Sequence, residues 1–515
     1  MDRLLSFRTL FFLLLYGSLF LFSCNSEHES LTYYISKNGD DANSGLSPYE
    51  PWKSVSKLSS VHLFPGDSIL LESGGIWRQT LKISSSGRPG KSIVFGHYGT
   101  GTNPKLIGSA IIDTWQDTGI ESVRISRTSV DNPSHGQFPS EVFFVFENDR
   151  IEWGNFKNVG GKLADLERNF EWYMVKGHLY FFLDDSIAGK LIAIEVPERT
   201  SCIRIDGAKQ PQDIVIDGLD MFFAKVAGVE CGRRISKASG LRVENAHLGY
   251  FGVKEGDAGY GISSFYSDFI VENCTIHDCG RRGISFNIYA QSPVERINQA
   301  IHAMGGTKFL KARSRIFSNI LIKNNTFFNG QHTTALDLAI MPGCTGTMIQ
   351  DVTFAGNFTS EDSLIRIGEN NNHTSNQVFL QEGGGRINRV YIYSNIFLNA
   401  TSRHLLFEGG DTIHVVNNTI AGFNQYGIPA PYGAVSFNFS RFVDFRNNIL
   451  YLNLPDSITD HGVLMYHEQA SYIQRDNNLY FQLYGEKDLT GGYHGYYNAS
   501  NWELFRRRYP EFEMN

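Results

Sequence analysis

Ile413-His-Val-Val-Asn-Asn-Thr-Ile, Phe442-Val-Asp-Phe-Arg-Asn-Asn-Ile and Tyr472-Ile-Gln-Arg-Asp-Asn-Asn-Leu are one short sentence written three times. Earlier copies read Phe269-Ile-Val-Glu-Asn-Cys-Thr-Ile, Ile320-Leu-Ile-Lys-Asn-Asn-Thr-Phe and Val390-Tyr-Ile-Tyr-Ser-Asn-Ile-Phe. Each copy has an apolar-alternating run, an Asn or Asn pair, an apolar pair and a polar break. The anchors lie 23 residues apart from Asn395 to Asn418, then 30 to Asn448 and 30 to Asn478, and periods of that size mark a solenoid. Period-2 alternation makes each run a strand with one face in a core. No apolar i, i+3, i+4 pattern crosses a copy, and the Asn, Gly and Thr between runs would end helices repeatedly. A repeat of this length holds two or three short strands and their turns. Each copy is therefore one coil of a β-helix, with coils stacked strand over like strand into parallel sheets. Asn at one place in every coil predicts a ladder of side-chain amides, and Asn also tolerates the left-handed backbone of a tight corner.

Outward from the repeat, the 515-residue chain carries a formal net charge of −7, which gives no general pull toward nucleic acid. Residues 1–24 read as a targeting segment: Arg3 and Arg8 precede the apolar Leu10-Phe-Phe-Leu-Leu-Leu-Tyr, and the segment ends Leu21-Phe22-Ser23-Cys24. That ending resembles a bacterial lipobox, which implies cleavage before Cys24, acylation of its thiol and a lipid anchor in the cell envelope. Residues 25–32 then form a polar tether whose acidic character resembles the export signal of Bacteroidetes surface lipoproteins. The other cysteines, Cys202, Cys231, Cys274, Cys279 and Cys344, are odd in number and irregular in spacing, a poor disulfide framework. Cys274 and Cys279 are expected to fill the coil interior as small apolar groups. No zinc, other metal or cofactor is assigned, and the protein is expected to be a monomer.

The first coils open with Tyr33-Tyr-Ile-Ser-Lys-Asn-Gly-Asp-Asp-Ala-Asn-Ser-Gly-Leu-Ser-Pro-Tyr-Glu-Pro-Trp, followed by Pro65-Gly-Asp-Ser-Ile-Leu-Leu-Glu and Gly87-Arg-Pro-Gly-Lys-Ser-Ile-Val-Phe. A strand, a Gly/Asn/Asp/Ser-rich turn, Pro-Trp and a short helix are similar to the entry sequence of right-handed parallel β-helix carbohydrate-active proteins, the pectate-lyase-like superfamily. The resemblance implies an all-β, right-handed parallel β-helix that handles polysaccharide; it specifies fold more strongly than activity. Asp40, Asp41, Asn43 and Ser44 are read as an Asx-rich turn rather than as calcium ligands, because no acidic residue follows at an EF-hand distance. Residues 111–200 break the repeat with Val142-Phe-Phe-Val-Phe and Phe170-Glu-Trp-Tyr-Met-Val, expected to be hairpins turning at Asn148-Asp149 and Lys176-Gly177. The organisation is thus first coils over 33–110, a small inserted β domain over 111–200, the main β-helix over 201–485 and a cap or tail over 486–515. An insert of this look is similar to that of some β-helix xylosidases.

For chemistry, strands after the anchors are aligned by their apolar alternation. In Ala335-Leu-Asp-Leu-Ala-Ile340 the leucines and Ile340 turn inward and Asp337 outward; Leu364-Ile-Arg-Ile-Gly-Glu369 leaves Arg366 outward; His404-Leu-Leu-Phe-Glu408 leaves His404 and Glu408 outside. Three successive coils would then line one groove. Asp337 and Glu408, two coils and about 9 to 10 Å apart along the backbone, suit the acid and base of a glycoside hydrolase, with Arg366 orienting substrate. The same residues permit a lyase or C5-epimerase on an acidic glycan, with Arg366 neutralising a uronate and His404 removing the C5 proton. A non-catalytic glycan-binding lipoprotein is a third reading. Glu369, Glu382, His332 and Glu468 are secondary candidates. Residues 289–315 make a long excursion between strands, basic through Arg296, Lys308, Lys311, Arg313 and Arg315. With Arg281 and Arg282 one strand earlier, Lys308, Lys311, Arg313 and Arg315 are read as a substrate-binding wall for an anionic sugar.

Overall fold

The computed structural model describes residues 29–127, 141–160, 162–207, 209–232, 238–252, 258–330, 333–361, 376–382, 384–400, 403–422, 434–452, 465–468, 470–482, 488–492 and 497–498. For 376–380, 452, 465–468, 481–482, 488–492 and 497–498 it describes the backbone alone. Strand pairs with like strand of the next coil, as the period requires. In one row of inward side chains Ile320 is followed by Val352, Val390, Ile413, Val443 and Ile473 on successive parallel strands. Three long sheets result, of 12, 11 and 12 strands among the described residues. In chain order within a coil they are called here the first sheet (for example Arg315–Lys323), the second (Thr326–Phe328) and the third (Thr333–Ile340). The chain is an all-β, right-handed parallel β-helix, and like residues stack in its interior: Phe327 on Phe354 at 6.0 Å, Phe354 on Phe397 at 6.1 Å.

The expected amide ladder exists, with its two proposed duties divided between neighbouring residues. Asn325, Asn357, Asn395, Asn418 and Asn448 each pass a side-chain N–H to the side-chain oxygen of the next rung, at 3.0, 3.1, 2.9, 3.0 and 3.0 Å, and Asn478 is the last acceptor. The residue before each rung takes the left-handed corner: Asn324, Gly356, Ser394, Asn417, Asn447 and Asn477 have φ between 53° and 63°. Asn357 is a rung that the repeat reading passes over, because Gly356 stands where the other copies show Asn or Ser. In the coil below Asn325 the rung position belongs to Cys274, whose backbone N–H donates to Asn325 Oδ1 at 2.8 Å. Cys274 and Cys279 are buried, unpaired with any disulfide, and lie in the coil interior as expected.

At the N-terminal end, Trp52 stacks on Tyr33 at 4.9 Å, and Asp41 accepts from the backbone N–H of Lys53 and Ser54, 2.9 Å each. The acidic turn there braces the entry coil. The inserted unit is built from a four-stranded and a five-stranded sheet. Phe143–Phe146 pairs antiparallel with Ile151–Trp153 across left-handed Asn148 and Asp149, and Glu171–Val175 with His178–Phe182 across Lys176-Gly177. Its own core holds Phe144, Trp172, Leu179, Phe181 and Ile194. Phe143 and Trp153 attach it to the outer face of the second sheet, where Phe143 meets Phe223 at 5.2 Å and Tyr250 at 5.7 Å. A two-bond ion pair, Arg78 to Glu195 at 2.7 and 2.8 Å, ties its root to the coils.

Candidate active site at the corner of the second and third sheets

The third sheet carries a bulge in the strand Thr333–Ile340. Arg282 pairs with Thr333 and Ile284 with Leu336, so Thr334 and Ala335 together oppose Gly283 alone; the same slip recurs against Asn376 and Val378 in the next coil. A bulge re-aims side chains and is common beside active sites. Gly283 is obligatory here, since a Cβ would lie 2.3 Å from the Thr334 carbonyl oxygen. Beyond the bulge the alternation is as expected: Leu336, Leu338 and Ile340 join the core and Asp337 faces outward. Yet Asp337 is fully buried. Arg282 Nε donates to its Oδ2, Thr333 Oγ1 lies 3.4 Å from the same oxygen, and the Arg282 guanidinium sits 5.9 Å over the Tyr260 ring. Burial pushes the Asp337 carboxyl up, against the opposing pull of Arg282 and, more weakly, Arg281.

A second buried carboxylate, Glu361, accepts a hydrogen bond from Thr334 Oγ1. It lies at the corner between the second and third sheets. His277, Phe328 and Ser360 are register partners on successive strands, so Asp278, Asn329 and Glu361, one residue on, form a corner row. Beside that row His277 Nδ1 lies 2.5 Å from Asp278 Oδ2, His277 Nε2 lies 2.7 Å from His247 Nε2, and the His277 ring stacks on Phe328 at 4.6 Å. Consecutive hydroxyls at the start of the bulge, those of Thr333 just before it and Thr334 within it, thus contact Asp337 and Glu361.

The other expected site residues fall elsewhere. The strand between those of Asp337 and Glu408 is Asn376–Glu382, so the neighbour of Asp337 in the next coil is Phe379 and in the one after it Leu406. Arg366 and Glu369 lie outside the described residues, as does His332. Glu408 is two coils and two residues from Asp337, about 12 Å along the backbone rather than 9 to 10 Å. It accepts from Gln381 Nε2 at 2.8 Å. Glu382 is turned to a structural use, accepting from the Ile387 backbone N–H. Glu468 is placed by its strand only, as the register partner of Asn438. The basic set divides: Arg282 pairs with Asp337, Arg281 contributes to its field, Arg315 pairs with Glu295, and Lys308, Lys311 and Arg313 are exposed.

His404 is fully buried, and burial lowers its pKa to about 3. So weak a base is a poor acceptor for a C5 proton. The depressed value has a consequence for stability. The folded state keeps the ring neutral while the unfolded chain protonates it below 6.5, so stability present above that pH is lost progressively as pH falls toward 3. Between pH 7 and pH 5 the loss from this group is about 2 kcal/mol. Chemical unfolding at the two pH values should show a difference smaller by that amount in His404→Gln; an unchanged pH slope in the variant removes His404 as its source.

Glu361 escapes the sequence reading for the reason that Asn357 does. The copy Val352-Thr-Phe-Ala-Gly-Asn-Phe-Thr lacks the Asn pair, and Glu361 lies two residues beyond it, after Ser360. Recognising Gly356 as another left-handed corner residue would have located it.

No protein-family model matches the chain. Over 81 residues, 15% of the chain, it is 42% identical to lacto-N-biosidase of Bifidobacterium longum subsp. longum; the match spans about 5% of the length of that curated relative. Among solved structures it is similar to XylC in complex with xylose, at 14% identity with a TM-score of 0.48, covering 89% of this chain and 87% of that one. It is also similar to the GH136 lacto-N-biosidase of Eubacterium ramulus, at 14% identity and a TM-score of 0.44 over 88% and 68% of the two chains. A third likeness is to DFA-IIIase of Arthrobacter chlorophenolicus A6, at 9% identity and a TM-score of 0.37 over 83% and 77%. At scores and identities this low the structural likenesses bear on neither activity nor substrate, and the β-helix rests on the chain's own strand register.

Proposed function

We propose that this protein is a glycoside hydrolase acting at the corner of the second and third sheets. Asp337 gives its proton to the leaving glycosidic oxygen, and Glu361 serves as base or nucleophile on the other side of the sugar. The observation that carries this reading is that two buried carboxylates are held by consecutive hydroxyls, Thr333 and Thr334, where the bulge begins. A carboxyl pushed up by burial holds a proton at pH values where an ordinary one has lost it, which is what a general acid needs. Identity of 42% over 81 residues with a lacto-N-biosidase supports an oligosaccharide as substrate. The test is incubation with a panel of neutral, amino-sugar and acidic oligosaccharides, read by new reducing ends and by ultraviolet absorbance together. New reducing ends without absorbing product are expected. An unsaturated uronate product would replace hydrolysis by elimination, and no product with any glycan would leave a binding protein.

On the same reading the protein works in the cell envelope, held by acyl chains on Cys24. Wild-type protein should then partition into detergent, and Cys24→Ser, given a leader cut by general signal peptidase, into the aqueous phase on expression in a bacterium with lipoprotein processing. Equal partitioning of the two removes the acyl anchor.

A further inference from the structure

The excursion expected between the coils is a braced platform turned inside out. The helix Pro293–Ala303 begins with a complete capping box, in which Ser292 and Glu295 satisfy each other's backbone N–H groups. Its inward residues are polar: Asn298, fully buried, donates to the Leu310 carbonyl at 2.8 Å and accepts from the Leu310 N–H at 2.7 Å, and Glu295 pairs with Arg315. Those bonds lay the segment 307–311 back along the helix, where Phe309 meets His302 at 6.5 Å between ring centres. Four large apolar residues of the segment are turned outward. Met304 is 79% exposed, Ile297 and Leu310 49% each, and Phe309 38%. Around them stand Arg296, Lys308, Lys311 and Arg313, all exposed and none with an ion-pair partner among the described residues. A folded, pinned element has no structural reason to show its apolar side to water, and exposed apolar groups gathered this way mark a contact surface.

The geometry points to an anionic lipid surface as the occupant of this face. Four unpaired cations interleaved with large apolar side chains match what a bilayer of acidic headgroups takes: the charges engage the headgroups and the apolar groups enter the acyl boundary. The patch is opposite in sign to the chain's net charge of −7, so the docking is local and orients the molecule. A second copy meeting the same face would set these cations against each other. The proposal is independent of the glycosidase reading, since none of these residues belongs to the carboxylate corner.

The experiment uses the full chain in a Cys24→Ser background, with a polarity-sensitive fluorophore attached through Met304→Cys. The five described cysteines are buried, which directs the label to position 304. Vesicles of phosphatidylglycerol should shift the emission to the blue, vesicles of phosphatidylcholine should not, and added salt should reverse the shift. Adding Lys308→Glu and Lys311→Glu should weaken apparent vesicle affinity by roughly tenfold or more, with circular dichroism unchanged. No shift with phosphatidylglycerol, or equal shifts with both lipids and with the charge-reversed variant, overturns the proposal. A blue shift that grows with protein concentration in the absence of lipid overturns it in favour of self-association.

Discussion

Asn418→Ala should lower the unfolding free energy by about 3 kcal/mol or more, more than Asn325→Ala does. Asn418 is a mid-ladder rung with almost no exposure. Its Oδ1 accepts from the Asn395 backbone N–H at 3.0 Å and from Asn395 Nδ2 at 2.9 Å; its Nδ2 donates to the Ile392 carbonyl at 2.9 Å and to Asn448 Oδ1 at 3.0 Å. Alanine leaves two donors and a carbonyl unpaired where water cannot reach, and each buried unpaired group costs about 1 to 3 kcal/mol. Asn325 closes the ladder. Truncating it leaves one donor, the Cys274 N–H, and one carbonyl, that of Val271, unpaired, one buried group fewer than at Asn418, and the rung position below it is already held by a thiol. Asn417→Gly, which keeps the left-handed corner at φ 59°, should be nearly neutral by comparison. Urea unfolding of the three variants, with hydrogen exchange at the Asn395 amide, measures the difference. Equal losses for Asn418→Ala and Asn325→Ala would show that the ladder does not act as a connected unit.

That contrast explains how much could be read from the chain. Period-2 runs and recurring Asn pairs encode the coil directly, because every coil repeats the same hydrogen bonds, and the hairpins of the insert announce themselves at Asn148-Asp149 and Lys176-Gly177. The site has no such redundancy. Asp337 was readable as an outward strand residue, since leucines flank it. Its burial under neighbours, its pairing with Arg282 across the sheet and its relation to Glu361 were not, because each depends on register. One unrecognised coil, with Gly356 for Asn, and one bulge at Thr334–Ala335 were enough to shift the outward row. Alternation within a strand gives the face of a residue; only the count of residues between coils gives its neighbour, and a bulge changes that count by one. Alternation alone sets Glu408 beside Asp337, whereas the register sets Phe379 and Leu406 there.

Asp337→Asn should reduce turnover of unactivated oligosaccharides by about 10²- to 10⁴-fold, the range for loss of a positioned general acid. Glu361→Gln should lose a comparable factor, and Glu408→Gln no more than a few-fold. The two roles separate by leaving group. An activated aryl glycoside departs without protonation, so Asp337→Asn should recover most of its rate on such a substrate while Glu361→Gln stays inactive, because attack by water or carboxylate is still required. The pH profile gives a second handle. Activity needs Asp337 protonated, so it should fall as pH rises through a pKa lifted by burial. Arg282→Met removes the charge that opposes the lift, and the basic limb should therefore move to higher pH. Leaving Arg282 without its carboxylate costs stability, so the rates are compared at temperatures where each variant retains its native circular dichroism. Glu361→Gln keeps an acceptor for Thr334 Oγ1 and tests the site without that complication. If Asp337→Asn loses activity equally on activated and unactivated substrates, Asp337 is not the proton donor; if Glu361→Gln keeps full activity on both, the bulge presents only one catalytic carboxylate and the second must be sought elsewhere on the corner row, beginning with Asp278.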